Sequence, residues 1–129
     1  MTKNVVCAVA ALFIVSCSFN YEDNFKILTF KKVIDEENTQ YNVCDNLLLT
    51  KTEIALYFDN AEQVSNEKEH GESLIMPCKY SGKLIMDHKT YSYDIFAGGS
   101  GYIYNNKGWV VKNFICKDTS CCNQFSNLC

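Results

Sequence analysis

The apolar positions between residues 25 and 34 fall in a short dense run that polar residues follow. Phe25 to Ile34 is rich in aromatic and β-branched side chains and predicts a strand, although its alternation is imperfect. The polar run from Asp35 to Gln40 ends this strand. A second polar segment, Ser65 to Ser73, carries three glutamates and His70 and predicts a solvated loop.

A helical pattern lies between these two polar segments. Thr50-Lys51-Thr52-Glu53 has the form of a capping box, in which a threonine oxygen accepts from an unpaired amide and Glu53 reaches back. The apolar residues that follow, Ile54, Tyr57 and Phe58, have the i, i+3, i+4 spacing of one helical face. The pattern predicts a helix from about residue 51 to residue 61.

From Cys78 onward, apolar runs alternate with turn residues. The turns are Asp87-His88-Lys89 and Asn105-Asn106-Lys107-Gly108, with Gly108 suited to a positive φ. The predicted strands are Cys78 to Met86, Thr90 to Ile95, Tyr102 to Tyr104 and Trp109 to Cys116. We therefore predict an α+β fold, with an antiparallel meander sheet of about four to six strands, one helix and disulfide bracing.

The first residues of the chain have the pattern of an export signal. Val5 to Val15 are eleven uncharged residues, which is too few to span a bilayer, because a spanning helix needs about 20. Ile14-Val15-Ser16-Cys17 resembles the lipobox of bacterial lipoproteins, which implies lipidation of Cys17; an ordinary secretory signal is the alternative. We predict an export signal at 1–17 and a single domain at 18–129.

Charge narrows the choice of partners. Without residues 1–17, eleven lysines stand against fifteen acidic residues, a net charge of −4, and the chain has no arginine. Arginine is the side chain that binds phosphate and guanine through two parallel hydrogen bonds, so its absence leads us to expect no nucleic acid partner. The expected address is the periplasm or, by resemblance of Ser18 to lipoprotein sorting signals, the outer membrane. The membrane would be contacted through the lipid anchor only.

Eight cysteines in 129 residues suit an oxidising compartment. With Cys7 in the signal and Cys17 as the lipid site, six remain as disulfide candidates: Cys44, Cys78, Cys116, Cys121, Cys122 and Cys129. Their connectivity stays open, but the adjacent Cys121 and Cys122 are expected in two different bridges. The spacing fits structural zinc poorly and lacks a Cys-x-x-Cys redox motif, so we expect no metal or other cofactor. Without its disulfides, the tail from Lys117 to Cys129 has too little apolar density to order itself.

A glycine-rich stretch is the main functional candidate. Ala97-Gly98-Gly99-Ser100-Gly101 lacks the lysine and the following helix of a phosphate-binding loop. One interpretation is a plain connection between strands, since glycine permits backbone angles that other residues resist. The other is a protein-binding loop from which Ser100 projects between Gly99 and Gly101. The aromatic residues and lysine behind it, Tyr102, Tyr104, Trp109 and Lys112, would then supply contact area.

Two resemblances bear on this stretch. Gly99-Ser100-Gly101-Tyr102-Ile103-Tyr104 resembles the Ser-Gly-x-x-Tyr signature of bacterial c-type lysozyme inhibitors, small exported or lipid-anchored β-barrels. Trp109-Val110-Val111-Lys112 resembles their second motif, a tryptophan followed by a lysine and a glycine, although Lys112 falls one residue late and Asn113 replaces the glycine. The resemblance implies that Ser100 and Lys112 engage a lysozyme active site. More broadly, residues 50–116 resemble a group of small exported bacterial proteins with no activity that we can assign.

Catalysis has weaker support in the sequence. His70 and His88 lie in polar segments, and neither His88 nor Asp94 can be placed beside Ser100 to make a triad. We therefore expect a protein that is not an enzyme and acts by binding a protein partner, as an inhibitor or immunity-type protein against a lysozyme-like or other wall-active protein. The alternative is a structural envelope lipoprotein without inhibitory activity.

Overall fold

The computed structural model describes residues 3–10, 14–21, 24–34, 43–65, 77–125 and 128–129. The helices and strands within these ranges are β1 (Lys3–Ala10), β2 (Ile14–Tyr21), β3 (Phe25–Ile27), β4 (Lys31–Ile34), α1 (Val43–Asn46), α2 (Lys51–Asn60), β5 (Glu62–Val64), β6 (Cys78–Met86), β7 (Lys89–Phe96), β8 (Ser100–Tyr104), β9 (Val110–Ile115) and α3 (Thr119–Cys122). The predicted polar segment 35–40 and the loop 66–73 with His70 lie outside the described residues.

An antiparallel meander of β6, β7, β8 and β9 forms the centre of the main sheet, as predicted. β3 and β4 both pair with β6 at one edge, and β5 pairs with β9 at the other. The sheet curls into a half-barrel. The predicted turn between β6 and β7 is confirmed as a two-residue hairpin turn, in which Asp87 and His88 both have positive φ. The α+β class with disulfides is therefore confirmed.

The first edge strand is broken, where the sequence pattern predicts a continuous strand from Phe25 to Ile34. Thr29 lies at the break, and its side chain and carbonyl both contact the sheet. Its Oγ1 accepts from the Lys83 amide at 3.0 Å, its carbonyl accepts from the Tyr93 hydroxyl at 2.8 Å, and the same carbonyl sits over Gly82, where a Cβ would overlap it. The chain bends inward here because Gly82 leaves space for it.

Helix α2 covers the inner face of the sheet and matches the predicted helix. The Thr50 hydroxyl accepts from the Glu53 amide at 3.2 Å and Glu53 reaches back to the Thr50 amide at 3.1 Å, which confirms the capping box. Its apolar face supplies the buried side chains Ile54, Tyr57 and Phe58. Phe58 packs edge-on against Phe114 and Tyr93, with ring centroids 5.2 and 5.6 Å away.

The C-terminal tail contributes to this core, contrary to the low apolar density expected of it. Asp118 caps α3 by accepting from the Cys121 amide at 2.9 Å. Two apolar residues behind the helix are buried, Phe125 at 3% exposed and Leu128 at 0%. The Phe125 ring lies 6.2 Å from that of Tyr57. Disulfides and core packing together order the tail.

Strands β1 and β2 form a separate two-stranded sheet. β1 pairs with β2 in register from Lys3 opposite Tyr21 to Ala10 opposite Ile14. β2 crosses the predicted boundary between residues 17 and 18, and the assignment of 1–17 as an export signal stays a prediction. None of the described helices is both long and apolar enough to cross a membrane.

Candidate binding surface

The glycine-rich stretch is an interior part of the fold. Ser100 is 1% exposed, and its hydroxyl has no hydrogen-bond partner among the described residues. The prediction that Ser100 projects from a narrow turn is wrong, because Ser100 is the first residue of β8 and pairs with Ile115 of β9. Ala97, Gly99 and Gly101 are buried with it.

The glycines create space for neighbouring groups. Gly99 has a φ of 103°, and a Cβ there would overlap the carbonyl of Cys116. A Cβ on Gly101 would overlap the ring and hydroxyl of Tyr57 from helix α2. The Tyr57 hydroxyl donates to the Gly99 carbonyl at 2.7 Å. The stretch is therefore the place where the helix docks on the sheet.

Backbone hydrogen bonds fix the stretch from three further directions. The Ala97 amide donates to the Cys78 carbonyl at 3.0 Å, and the Gly98 amide donates to the Leu128 carbonyl at 2.7 Å. The Cys116 amide donates to the Gly99 carbonyl at 2.9 Å. Strand β6, the tail and the end of β9 all meet here, so the stretch has no free tip that would enter a partner's cleft.

The other predicted contact residues do not share one face. Tyr102 is buried and stacks on the half-buried Tyr104, with ring centroids 6.1 Å apart. Tyr104 pairs with Val110, whereas Lys112 pairs with Ile103, which is 0% exposed and faces the core. Because directly opposite residues of an antiparallel pair share a face, Lys112 emerges on the side opposite Tyr104.

The β8–β9 turn presents the most exposed aromatic residue among the described side chains. The predicted hairpin turn is confirmed, and Gly108 has the positive φ expected of it, 80°. The Asn105 side-chain oxygen accepts from the amides of Lys107 and Trp109, both at 3.0 Å. The Asn105 amide donates to the Trp109 carbonyl at 2.9 Å, and the Gly108 amide donates to the Asn105 carbonyl at 3.0 Å. These four hydrogen bonds brace the turn, and two of them hold the backbone of Trp109, which is 70% exposed.

Two further exposed apolar residues follow Trp109. Val110 is 40% and Val111 is 44% exposed, and a register shift between Ile103 and Tyr104 disturbs the pairing beside them. We call Trp109, Val110 and Val111 the Trp109 surface. The sequence analysis missed both valines as contact residues. The sequence pattern that could have indicated them is three successive apolar residues after a hairpin turn. Because side chains alternate between the two faces of a strand, at least one of the three must point away from the core.

The residues considered for catalysis are not assembled around Ser100. Asp94 accepts hydrogen bonds from the Ser81 hydroxyl and from Lys79 Nζ, the latter at 3.2 Å. His88 is exposed in the β6–β7 turn, at the opposite end of β7 from the glycine-rich stretch. No triad of Ser100, His88 and Asp94 exists within the described part of the chain.

All six disulfide candidates are paired. The bridges are Cys44–Cys78, Cys116–Cys121 and Cys122–Cys129, which confirms that Cys121 and Cys122 serve two different bridges. The sulfurs of Cys116, Cys122 and Cys129 lie within 4.8 Å of one another, but each belongs to a disulfide and is not a thiolate ligand in this form. Cys17 lies in β2, and its lipidation stays a prediction.

Comparison with known proteins adds no family to this description. Family models, curated proteins and solved structures gave no match to the chain. The resemblance to c-type lysozyme inhibitors therefore rests on the two short motifs around Ser100 and from Trp109 to Lys112 alone.

Proposed function

We propose that this protein is exported and acts by binding a protein partner through the Trp109 surface, as an inhibitor or immunity-type protein against a lysozyme-like or other wall-active protein. The observation that carries the proposal is the exposed Trp109 on a turn braced by four backbone and side-chain hydrogen bonds. The partner class comes from the sequence resemblance and the expected export.

Physical chemistry supports Trp109 as the anchor of an interface. Tryptophan is among the residues most enriched at binding hot spots, where a few side chains supply most of the affinity. Exposure of Trp109, Val110 and Val111 leaves apolar area available for burial. Because the turn is already ordered, binding costs less conformational entropy than it would on a flexible loop.

The net charge of the whole chain supports a cationic partner, and two lysines supply positive charge at the Trp109 surface itself. The predicted exported chain has a net charge of −4, which favours encounter with basic lysozymes. Lys107 is exposed beside Trp109 and Lys112 is partly exposed, so local positive charges are available to acidic groups near a cleft. The proposed mechanism is occlusion by the turn and its rim, in which Ser100 serves the fold and not the contact.

The test is inhibition of c-, g- and i-type lysozymes by the protein purified with its disulfides formed. We expect stoichiometric inhibition of at least one class by the wild type. Trp109→Ala should weaken binding by about 2 kcal/mol or more, about thirtyfold in Kd, because truncation of an anchoring aromatic removes its buried area.

Two control variants separate this mechanism from others. Leu48→Ala changes an apolar residue that is 63% exposed but remote in sequence from the turn, and Ser100→Ala changes the buried serine. Both should keep the wild-type Kd within about twofold, since neither residue belongs to the Trp109 surface. A loss of affinity in Ser100→Ala without one in Trp109→Ala contradicts the proposed contact. Failure to inhibit any lysozyme class contradicts inhibition of lysozymes, and leaves another wall-active protein or the envelope-lipoprotein alternative to be tested.

A further inference from the structure

Two of the disulfides lie against each other at the C-terminal end of the described chain, and they differ in exposure. Cys116 and Cys121 are buried, at 0% and 3% exposed. In the neighbouring bridge Cys122 is half-buried and Cys129 is exposed. A reductant in solution therefore meets the Cys122–Cys129 bridge first.

The two bridges are close enough to react with each other. Cys129 Sγ lies 3.9 Å from Cys116 Sγ, which belongs to the other disulfide. A disulfide bond is about 2.0 Å long, so bond formation between these sulfurs needs a movement of about 2 Å. The Cys116 carbonyl oxygen lies 3.2 Å from Cys129 Sγ and 3.7 Å from Cys122 Sγ, which places both sulfurs over the end of β9.

We propose that these four cysteines form a disulfide-exchange site whose co-substrate is a dithiol reductant. One thiolate of the dithiol attacks Cys129 Sγ, the Cys122–Cys129 bond breaks, and Cys122 leaves as a thiolate. The second thiolate of the dithiol attacks its own sulfur in the mixed disulfide and releases Cys129 as a thiolate. The dithiol leaves as a disulfide, and two electrons have passed to Cys122 and Cys129.

The second step moves the thiol pair inside the protein. The Cys129 thiolate attacks Cys116 Sγ, the Cys116–Cys129 bond forms, and the Cys116–Cys121 bond breaks. The electron pair leaves on Cys121, which takes a proton from water. This step transfers no net electrons, because one disulfide replaces another.

After this exchange the two thiols are on Cys121 and Cys122, and the chain geometry there hinders their oxidation to a disulfide. Cys121 and Cys122 are adjacent, and consecutive Cα atoms are about 3.8 Å apart across a trans peptide. Disulfides usually need Cα atoms about 4.4–6.8 Å apart, so the two thiols do not readily close on each other. Direct reoxidation is slow for this pair, and the exchanged form persists until Cys129 is released again.

The third disulfide lacks this arrangement. Cys44 and Cys78 are 4% and 1% exposed, and no other cysteine sulfur is grouped with them among the described side chains. The Cys44–Cys78 bridge is therefore shielded from a reductant and has no exchange partner among the described side chains. It serves as the internal reference for the test.

The test is limited reduction of the oxidised protein with a dithiol, followed by removal of the reductant at acid pH. The sample is then returned to mild alkali, portions are alkylated over time, and the modified cysteines are located by peptide mass spectrometry. Acid stops the exchange because the thiolate is the nucleophile. We expect label first on Cys122 and Cys129, then a shift of label from Cys129 to Cys121 with appearance of a Cys116–Cys129 cross-linked peptide.

A double variant provides the matched control. Cys116→Ala with Cys121→Ala removes the buried bridge, so its label should stay on Cys122 and Cys129 at all times. In the wild type, label that remains on Cys122 and Cys129 while Cys116–Cys121 stays intact overturns the proposal. Reduction of Cys44–Cys78 before either tail bridge overturns it as well. The wild-type time course is decisive by itself if the double variant does not fold.

Discussion

Two buried phenols illustrate how single residues set the pH response of this protein. The hydroxyl of Tyr57 donates to the Gly99 carbonyl and that of Tyr93 to the Thr29 carbonyl. Burial, with a smaller contribution from Tyr102, raises the pKa of Tyr57 well above its ordinary value. Burial, with a smaller contribution from Asp94, likewise raises the pKa of Tyr93. Both phenols are therefore held in the protonated form by the fold.

This raised pKa predicts a loss of stability in alkali. An unfolded tyrosine ionises with a pKa of about 10, so the stabilisation is complete below that pH and is lost as pH rises through the folded pKa. Tyr57→Phe should lower stability at pH 7 by about 1 kcal/mol, through the lost hydrogen bond. Above pH 10 it should flatten the decline by up to about 1.4 kcal/mol per pH unit.

Urea denaturation across neutral and alkaline pH measures both effects. Tyr93→Phe should also flatten the alkaline decline, and the double variant should flatten it further. An alkaline decline in Tyr57→Phe as steep as in the wild type contradicts the assignment.

At the scale of elements, helix α2 packs closely on strand β8 because Gly101 of β8 has no side chain. Gly101 leaves the volume that the Tyr57 ring occupies, and the Gly99 carbonyl accepts a hydrogen bond from the Tyr57 hydroxyl. A helix crossing a sheet normally meets side chains, whereas here it approaches the backbone. The docking therefore depends on the pair Tyr57 and Gly101 more than on either residue alone.

A double-mutant cycle tests this dependence. Gly101→Ala should destabilise the wild type by about 3 kcal/mol. The new methyl would overlap the Tyr57 ring, which is held in a close-packed interior by its hydrogen bond to the Gly99 carbonyl. In a Tyr57→Leu background, which lacks the overlapping ring atoms and hydroxyl, the same change should cost about 1 kcal/mol or less. Chemical denaturation of the four proteins gives the coupling. Equal costs in the two backgrounds would show that Tyr57 does not set the requirement for glycine.

The contrast between predicted and observed elements has a local explanation. The helix at 51–60 and the meander from Cys78 to Ile115 were predictable, because capping, periodicity and hairpin turns are determined by neighbouring residues. The break at Thr29 depends on Gly82, and the interior position of residues 97–101 depends on contacts from helix and tail. A sequence pattern does not distinguish a glycine that opens a turn from one that makes room for a distant ring.

At the scale of the whole molecule, the three disulfides have different reach. Cys44–Cys78 joins α1 to the start of β6 across 34 residues, and the intervening chain includes α2 and β5. Cys116–Cys121 and Cys122–Cys129 close loops with separations of 5 and 7 residues. The first bridge fastens the helical layer to the sheet, while the other two shape the tail.

Loop length predicts the order of their contributions to stability. In the chain-entropy account, removal of Cys44–Cys78 costs about 4 kcal/mol and removal of Cys122–Cys129 about 2 kcal/mol. Cys44→Ala with Cys78→Ala should therefore lower the midpoint of urea unfolding more than Cys122→Ala with Cys129→Ala. Burial of Cys44 and Cys78 adds to the difference, because their replacement leaves a cavity. An equal or reversed order would show that the tail bridge stabilises more than its own short loop.

Because residues 97–101 lie in the interior, their sequence pattern indicates how the helix packs on the sheet and does not indicate a binding site. The identities of these residues are constrained because they make room for the Tyr57 ring and for the chain at the end of β9. That constraint holds whichever surface of the molecule binds a partner. Two proteins that carry such a glycine–serine pattern can then be alike in how their layers meet and unlike in everything they touch. The pattern is a marker of shape, and specificity should be sought in the exposed residues of the turn that follows it.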